Sequence, residues 1–299
     1  MQSSQPFFIV GYQRSGTSLL REEISAHPNL CVPPECSFLT WLSPVYGDWT
    51  AHDTLSERRS EFVTDVVRAR KFHLWAVTSI QIHHAIVDAR PSTYPELVSC
   101  VYQAFGTASG KPRAQWGDKN NVHGLKLNQI LSLFAEARII WVVRDPRDIW
   151  ASLTTLSRAP ANPSGAGIAP TVPETVAEFC RGWVDYNERV SLALSQTSAP
   201  FRIVRYEDYV TRPVAGRQKI FDFLEVEPAS GNWAKRTPQQ LGEESLLPWK
   251  LSITQAPHKK SIGKFRELIP QVDADLIANL TTRAQPFFQI ESKNFGLWA

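Results

Sequence analysis

Hydrophobic residues along this chain bunch into short runs that alternate with stretches of helical spacing. Phe7 to Val10, Ala137 to Val143 and Phe201 to Arg205 are rich in β-branched and aromatic side chains, the make-up of buried strands. Ala114 to Asn121 reads as a shorter strand or strand-like turn. Between these runs the pattern predicts helices. One covers Thr17 to Ala26 and is closed by His27-Pro28; another follows Asn121 and reaches Ala135. A third has Asp145 as its N-cap, Pro146 at its first position and an end near Ser157. Two more start at a Thr171-x-x-Glu174 capping box and at Pro213, the last running to Leu224. From Trp41 to Gly110 the chain is helical and aromatic, with Thr54-x-x-Glu57 and Thr93-x-x-Glu96 as further capping boxes.

Strands that alternate with helices imply a parallel sheet. The expected fold is therefore α/β and a single domain over residues 1–299. It has a P-loop-like central parallel sheet flanked by helices, with 41–110 as a helical cap inserted after the first βα unit. Segments 158–173 and 227–262 are rich in Pro, Gly, Ala and Ser and read as mobile loops.

Composition narrows the class of partner. The chain has 299 residues, 43% hydrophobic and 20% charged, with a formal net charge of +3. That charge is too small for a nucleic-acid-binding surface, so any basic character used in function is local. No stretch approaches the roughly 18 apolar residues of a membrane span, and the first apolar run stops at Gly11; the reading is a cytoplasmic protein with no membrane partner. Cys31, Cys36, Cys100 and Cys180 form no C-x-x-C pair and have no histidine at zinc spacing, which favours free thiols.

The first strand runs into a loop bracketed by Gly11 and Gly16 and then into a helix. Strand, Gly-rich loop and helix N-terminus together make an anion site, because backbone N–H groups and the positive helix end converge. The spacing is G-x-x-x-x-G, but Thr17 and Ser18 follow it in place of Lys and Ser/Thr, and Arg14 is the loop's one cation. Arg144 ends the Ala137–Val143 run beside a helix start, with Ser152 two turns along. It either forks onto a phosphate or pairs with Asp145 or Asp148. Glu35 stands in the proline-pinned segment Leu30 to Leu39, either as a working carboxylate or as a surface-loop residue. Trp41, Tyr46, Trp49, Phe72, Trp75, His73, His83 and His84 either pack a core or line an acceptor pocket.

Taken in order, these motifs resemble the sulfotransferases that use 3′-phosphoadenosine-5′-phosphosulfate (PAPS). Gly11 to Leu20 is similar to the family's 5′-phosphosulfate loop, which assigns Arg14, Ser15, Gly16, Thr17 and Ser18 to the donor. Arg138 to Leu153 resembles the 3′-phosphate motif and carries the grip to Arg144 and Ser152. Arg205-Tyr206-Glu207-Asp208 looks like the R-Y-E-D segment, with Tyr206 near the nucleotide. Ser261-Ile262-Gly263-Lys264-Phe265 resembles S-I-G-R-W, which points to Ser261 and Lys264; Lys264 and Phe265 depart from that pattern.

The cytosolic branch of the family places its base in a Lys-Thr-His segment, whereas Lys119 here is followed by Asn120-Asn121. The branch that includes tyrosylprotein sulfotransferases uses a glutamate after a His-Pro pair, which His27-Pro28 and Glu35 match. The resemblance thus implies Glu35 as base, with His123 a distant second. Apolar and proline neighbours are expected to raise the Glu35 pKa toward working pH. Lys119 and Arg14 would stabilise charge on the leaving phosphate oxygen. The implied products are a sulfonated small-molecule acceptor and 3′,5′-adenosine bisphosphate, with no metal. The acceptor is an alcohol, phenol, amine, carbohydrate or carrier-tethered intermediate. Two other readings are a P-loop small-molecule kinase, opposed by the missing loop lysine, and a catalytically inactive nucleotide-binding protein of the same fold.

Overall fold

The computed structural model describes residues 5–157, 171–227 and 257–284. Its centre is a five-stranded sheet in the order β2-β3-β1-β4-β5, in which every pairing is parallel. The strands are β1 (Phe7–Val10), β2 (Leu30–Cys31), β3 (Gln115–Lys119), β4 (Arg138–Val143) and β5 (Phe201–Arg205). β2 is the element that the sequence pattern does not mark. It is two residues long and follows a His-Pro turn, and it exists because Leu30 and Cys31 find register with Gln115 and Trp116 at the sheet edge.

The strands are buried on both faces, and alternate residues feed two separate cores. Phe8, Val10, Trp116, Ile139, Trp141 and Val143 face one cluster. Phe7, Ile9, Leu30, Ile140, Val142 and Val204 face the other. α1 (Thr17–Ser25), α10 (Tyr206–Thr211) and α11 (Pro213–Leu224) cover this second face. α5 (Tyr94–Ala108), α6 (Val122–Leu125), α7 (Leu127–Leu133) and α9 (Val176–Ser195) are on the first face. α8 (Pro146–Ser157) packs with α9 and with α13 (Gln271–Thr281) in a third cluster.

The helical insert between β2 and β3 holds α2 (Phe38–Tyr46), α3 (Glu57–Arg68), α4 (Ser79–Ala89) and α5. It therefore follows the edge strand and Glu35 rather than the first βα unit alone. Thr93 caps α5 through the Glu96 N–H, as its spacing predicts. Thr54 does not cap α3. Ser56 does, while the Thr54 hydroxyl donates to the Pro91 carbonyl inside the insert. α9 begins at Thr175 and Glu178, one turn beyond the expected Thr171 box. The helix expected to reach Ala135 breaks at Lys126 into α6 and α7. Residues 158–170 and 228–256, most of the two expected loops, lie outside the described residues; 257–262 includes a 3-10 turn, Lys259–Ser261. All four cysteines are buried and none is in a disulfide, and burial pushes the Cys36 thiol up to about 12.

Candidate active site

Because the strands are parallel, the segments that follow them emerge along one edge in the order of the sheet. Glu35 follows β2, Lys119 closes β3, the Gly11–Gly16 loop follows β1, Arg144 follows β4 and Tyr206 follows β5. The chain winds outward from β1 in both directions, and ligands of open α/β sheets collect at such a reversal.

The loop after β1 is built on two left-handed residues, Arg14 (φ 66°) and Gly16 (φ 97°), a backbone alternation that turns successive N–H groups toward one concavity. The N-cap of α1 is Gly16, which has no side chain to cap the first turn, and the N–H groups of that turn point back toward the loop. Gly16 is required twice over. Its φ belongs to the left-handed region, and a Cβ there would fall 2.3 Å from Tyr206 Cδ2. Gly16→Ala is expected to lose about 1–2 kcal/mol of stability to the backbone alone and to displace the Tyr206 ring. Thermal unfolding with and without 3′,5′-adenosine bisphosphate checks this; an unchanged melting temperature in both conditions overturns it.

The loop hydroxyls face the β3 side. Ser15 is buried, Thr17 Oγ1 donates to Asn121 Oδ1 (3.2 Å), and Ser18 Oγ accepts from Lys119 Nζ (3.1 Å). Tyr186 on α9, which no local pattern marks, accepts the Gly11 N–H at 2.9 Å and donates to the Asn121 carbonyl at 2.9 Å. It fastens the loop's base to α6.

On the β4 side the structure gathers Arg14, Arg144, Ser152, Tyr206 and Ser261. Arg14 Nε donates to Ser152 Oγ (3.0 Å). Arg144 donates from Nη1 to the Arg14 carbonyl (3.0 Å) and from Nη2 to the Ser261 carbonyl (2.8 Å), and its guanidinium carbon stands 4.3 Å from the Tyr206 ring centre. Tyr206 and Ser261 share a hydroxyl hydrogen bond of 2.7 Å. Arg144 is thus directed at the loop and not at its acidic neighbours. Arg147 takes Asp145 (2.6 Å), and Asp148, 2% exposed, accepts the N–H groups of Gly263 (2.7 Å) and Phe265 (3.0 Å). Asp148 is a residue that sequence reasoning missed: it ties the segment bearing Ser261 to α8. Lys264 is exposed at the start of α12 (Phe265–Leu268), beside the buried Phe265, whose ring lies under Arg147 at 4.2 Å and Arg266 at 4.8 Å.

Burial and the charge of Arg144 press the Arg14 pKa down to about 10. Two guanidiniums held together under this strain are a site that an anion relieves. A cleft of about 280 Å³ opens beside Arg144, walled by Arg147, Arg205, Glu207 and Trp183.

On the β2 side, Glu35 and Lys119 meet although 84 positions separate them: Lys119 Nζ is in direct contact with Glu35 Oε1. Lys119 lies on the α1 face of the sheet, in register with Ile9, and its side chain is 2% exposed against 20% for Glu35. The carboxylate can therefore be reached from outside while the ammonium is sealed beneath it. Glu35 Oε2 accepts from Lys71 Nζ at 3.1 Å. Two cations, rather than the apolar surround inferred from the sequence, thus face this carboxylate. Pro33 and Pro34 are themselves buried, and the Pro34 carbonyl accepts the Trp75 indole N–H at 2.8 Å.

Arg14 extends toward α8, on the other side of β1 from Glu35 and Lys119. His123 is not placed to act as a base. It is fully buried, and its Nε2 is 2.6 Å from Asp118 Oδ2, which also accepts from the Tyr102 hydroxyl at 2.6 Å. Asp118 precedes Lys119 on β3 and so points to the opposite face. Of the insert's aromatics, Tyr46, Trp49, Phe72 and Trp75 pack within the core, whereas Trp41 is 70% exposed.

A model described as the sulfotransferase family matches residues 6–230 of the chain. The chain belongs to the sulfotransferase family. Nodulation protein NoeE of Sinorhizobium fredii (strain NBRC 101917 / NGR234) is 26% identical over 293 residues, covering 91% of this chain and 65% of that protein. The chain thus spans less than two thirds of that relative's length. The fold is shared with the sulfotransferase domain of the Synechococcus PCC 7002 olefin synthase, at a TM-score of 0.55 and 21% identity, over 94% of this chain and 97% of that one. It is shared as well with the sulfotransferase domain from the curacin biosynthetic pathway, at a TM-score of 0.56 and 16% identity, over 93% and 97%. The family model thus shows the family, and these two structures show the fold. Among the described residues, no helix is long and apolar enough to cross a membrane.

Proposed function

We propose that this sulfotransferase moves the sulfonyl group of PAPS to a hydroxyl or amine of a small-molecule or carrier-tethered acceptor, with Glu35 as general base. The observation that carries this reading is the chain of contacts from Glu35 through Lys119 to Ser18. It joins a reachable carboxylate to the first turn of the helix that follows the phosphate loop.

The donor supplies a sulfonyl group on a phosphate leaving group. Glu35 takes the acceptor proton as the acceptor oxygen or nitrogen forms its bond to sulfur. The bond between sulfur and the phosphate oxygen breaks, and its electron pair leaves on that oxygen, where Lys119 and the loop N–H groups offset the charge. Arg144 and Ser152, with Tyr206 and Ser261 packed beside them, hold the 3′-phosphate end. Arg14, whose guanidinium lies on Ser152, adds charge on that side of the loop. Positioning and fixed cations account for the chemistry, so the reading requires no metal. Helices α2 to α5 form the acceptor side, since they lead away from Glu35, and the exposed Trp41 offers an apolar edge there.

The test is a titration of the purified protein with 3′,5′-adenosine bisphosphate in EDTA, beside ATP with Mg²⁺, read by tryptophan fluorescence and calorimetry. Metal-free binding of the bisphosphate is the expected result. Binding of Mg·ATP alone overturns the reading in favour of a kinase.

A further inference from the structure

Lys71 belongs to no motif, yet it reaches the Glu35 carboxylate across 36 positions of sequence, with Nζ 3.1 Å from Oε2. Three features show that the contact is built into the fold. The first is the anchor. The 3-10 turn Phe72–Trp75 that follows Lys71 is fixed by Trp75, 2% exposed, whose indole donates to the carbonyl of Pro34, the residue before Glu35. The Trp75 ring packs against Phe38, Phe72, Tyr102 and Phe105 at centroid distances of 5.1–5.7 Å, so the turn and the Glu35 segment are held as one unit.

The second is the backbone. Lys71, at φ 69°, is the N-cap residue of that turn, so the turn that Trp75 anchors also fixes where the Lys71 side chain starts. The third is the division of the carboxylate. One oxygen is taken by Lys119, which is sealed against the α1 side, and the other by Lys71, which is part-exposed on the insert side.

We propose that Lys71 is a positioning residue for sulfonyl transfer: supplied by the helical insert, it holds Glu35 ionised and aimed at the acceptor side while Lys119 holds it to the donor side. This rests on Glu35 being the base. Among the described residues, Lys119 from β3 and Lys71 from the insert pair with Glu35; Lys71 and Asp118 also bear on the neighbouring Cys36 thiol. Removing Lys71 deletes the cation on Oε2 and leaves the Lys119 contact on the donor side in place. Opposite charge favours the ionised carboxylate, so the Glu35 titration midpoint moves up when Lys71 is neutralised.

The experiment compares Lys71→Met and Lys71→Arg with the wild type. The readouts are bisphosphate release from PAPS with a simple phenol as acceptor, calorimetric affinity for 3′,5′-adenosine bisphosphate, and carbon-13 NMR titration of the Glu35 carboxyl, assigned with Glu35→Gln. Lys71→Met is expected to lower kcat about tenfold and to raise the carboxyl midpoint by about one pH unit, the scale of a near opposite charge. Its acid limb in the kcat–pH profile follows the same shift, and bisphosphate affinity stays at the wild-type value. Lys71→Arg restores most of both. An unchanged midpoint in Lys71→Met overturns the proposal, as does a kcat loss matched by an equal loss of bisphosphate affinity, which marks a merely structural role. If Glu35→Gln itself keeps wild-type turnover, the assignment of the base has failed, and the midpoint still reports whether Lys71 acts on Glu35.

Discussion

Glu35→Gln is expected to lower turnover by about 10²-fold or more and to leave the affinity for 3′,5′-adenosine bisphosphate nearly intact. Glutamine keeps the size of the side chain and an oxygen that accepts from Lys119, but its amide cannot take the acceptor's proton. The effect therefore belongs to the transition state and appears in kcat rather than in donor binding. The direct contact with Lys119 makes the affinity control necessary. Lys119 is 2% exposed, and neutralising Glu35 changes the charge balance beneath the loop as well as the base. A fall in bisphosphate affinity equal to the fall in turnover would assign Glu35 to that balance, and wild-type turnover would remove it as base.

Arg144→Ala is expected to weaken binding of the 3′-phosphorylated nucleotide by about 1.5–3 kcal/mol, the scale of a charged hydrogen bond, or roughly 10- to 150-fold in Kd. Arg144 sits over Tyr206 and donates to two carbonyls, on Arg14 and Ser261, which fixes the fork in place before any ligand arrives. Arg144→Lys keeps the charge without the fork, so its affinity falls between the two. Adenosine 5′-monophosphate, which lacks the 3′-phosphate, separates recognition from collapse of the loop: its binding changes little in Arg144→Ala. Equal losses for both nucleotides would make Arg144 a loop support only. Unchanged bisphosphate affinity would move the 3′-phosphate site elsewhere.

The features legible in the sequence are those set by neighbours in the chain. Phe7 to Val10 is β-branched and aromatic before a glycine, and it forms a strand there. Asp145 accepts the Arg147 N–H at 2.9 Å, as an N-cap ahead of a proline at the first helical position does. Thr54 and Thr171 are not the caps: Thr54 is buried and its hydroxyl goes to the Pro91 carbonyl, and Thr175, which has the same spacing to Glu178, takes the cap of α9. Leu30–Cys31 gave no local signal because two residues become a strand only when a partner lies beside them.

For the candidate site the division falls in the same place. Backbone freedom, strand composition and helix capping act within a few residues, so the strand, the glycine-bracketed loop, the helix that follows it and the cations at strand ends are readable from local sequence. Which side chains meet follows from the order of the strands. The order β2-β3-β1-β4-β5 puts Glu35 and Lys119 on one side of the loop and Arg144, Ser152 and Tyr206 on the other, and Arg14 extends to the second group. The two-residue period of β3 sends Lys119 to the α1 face and leaves Asp118 to hold His123 in the core. Trp75 and Lys71 reach the Glu35 segment only because the helical insert folds back onto the strand end from which it departs. Contacts across 36 to 138 positions depend on sheet order and on the packing of the insert, and no local pattern encodes either.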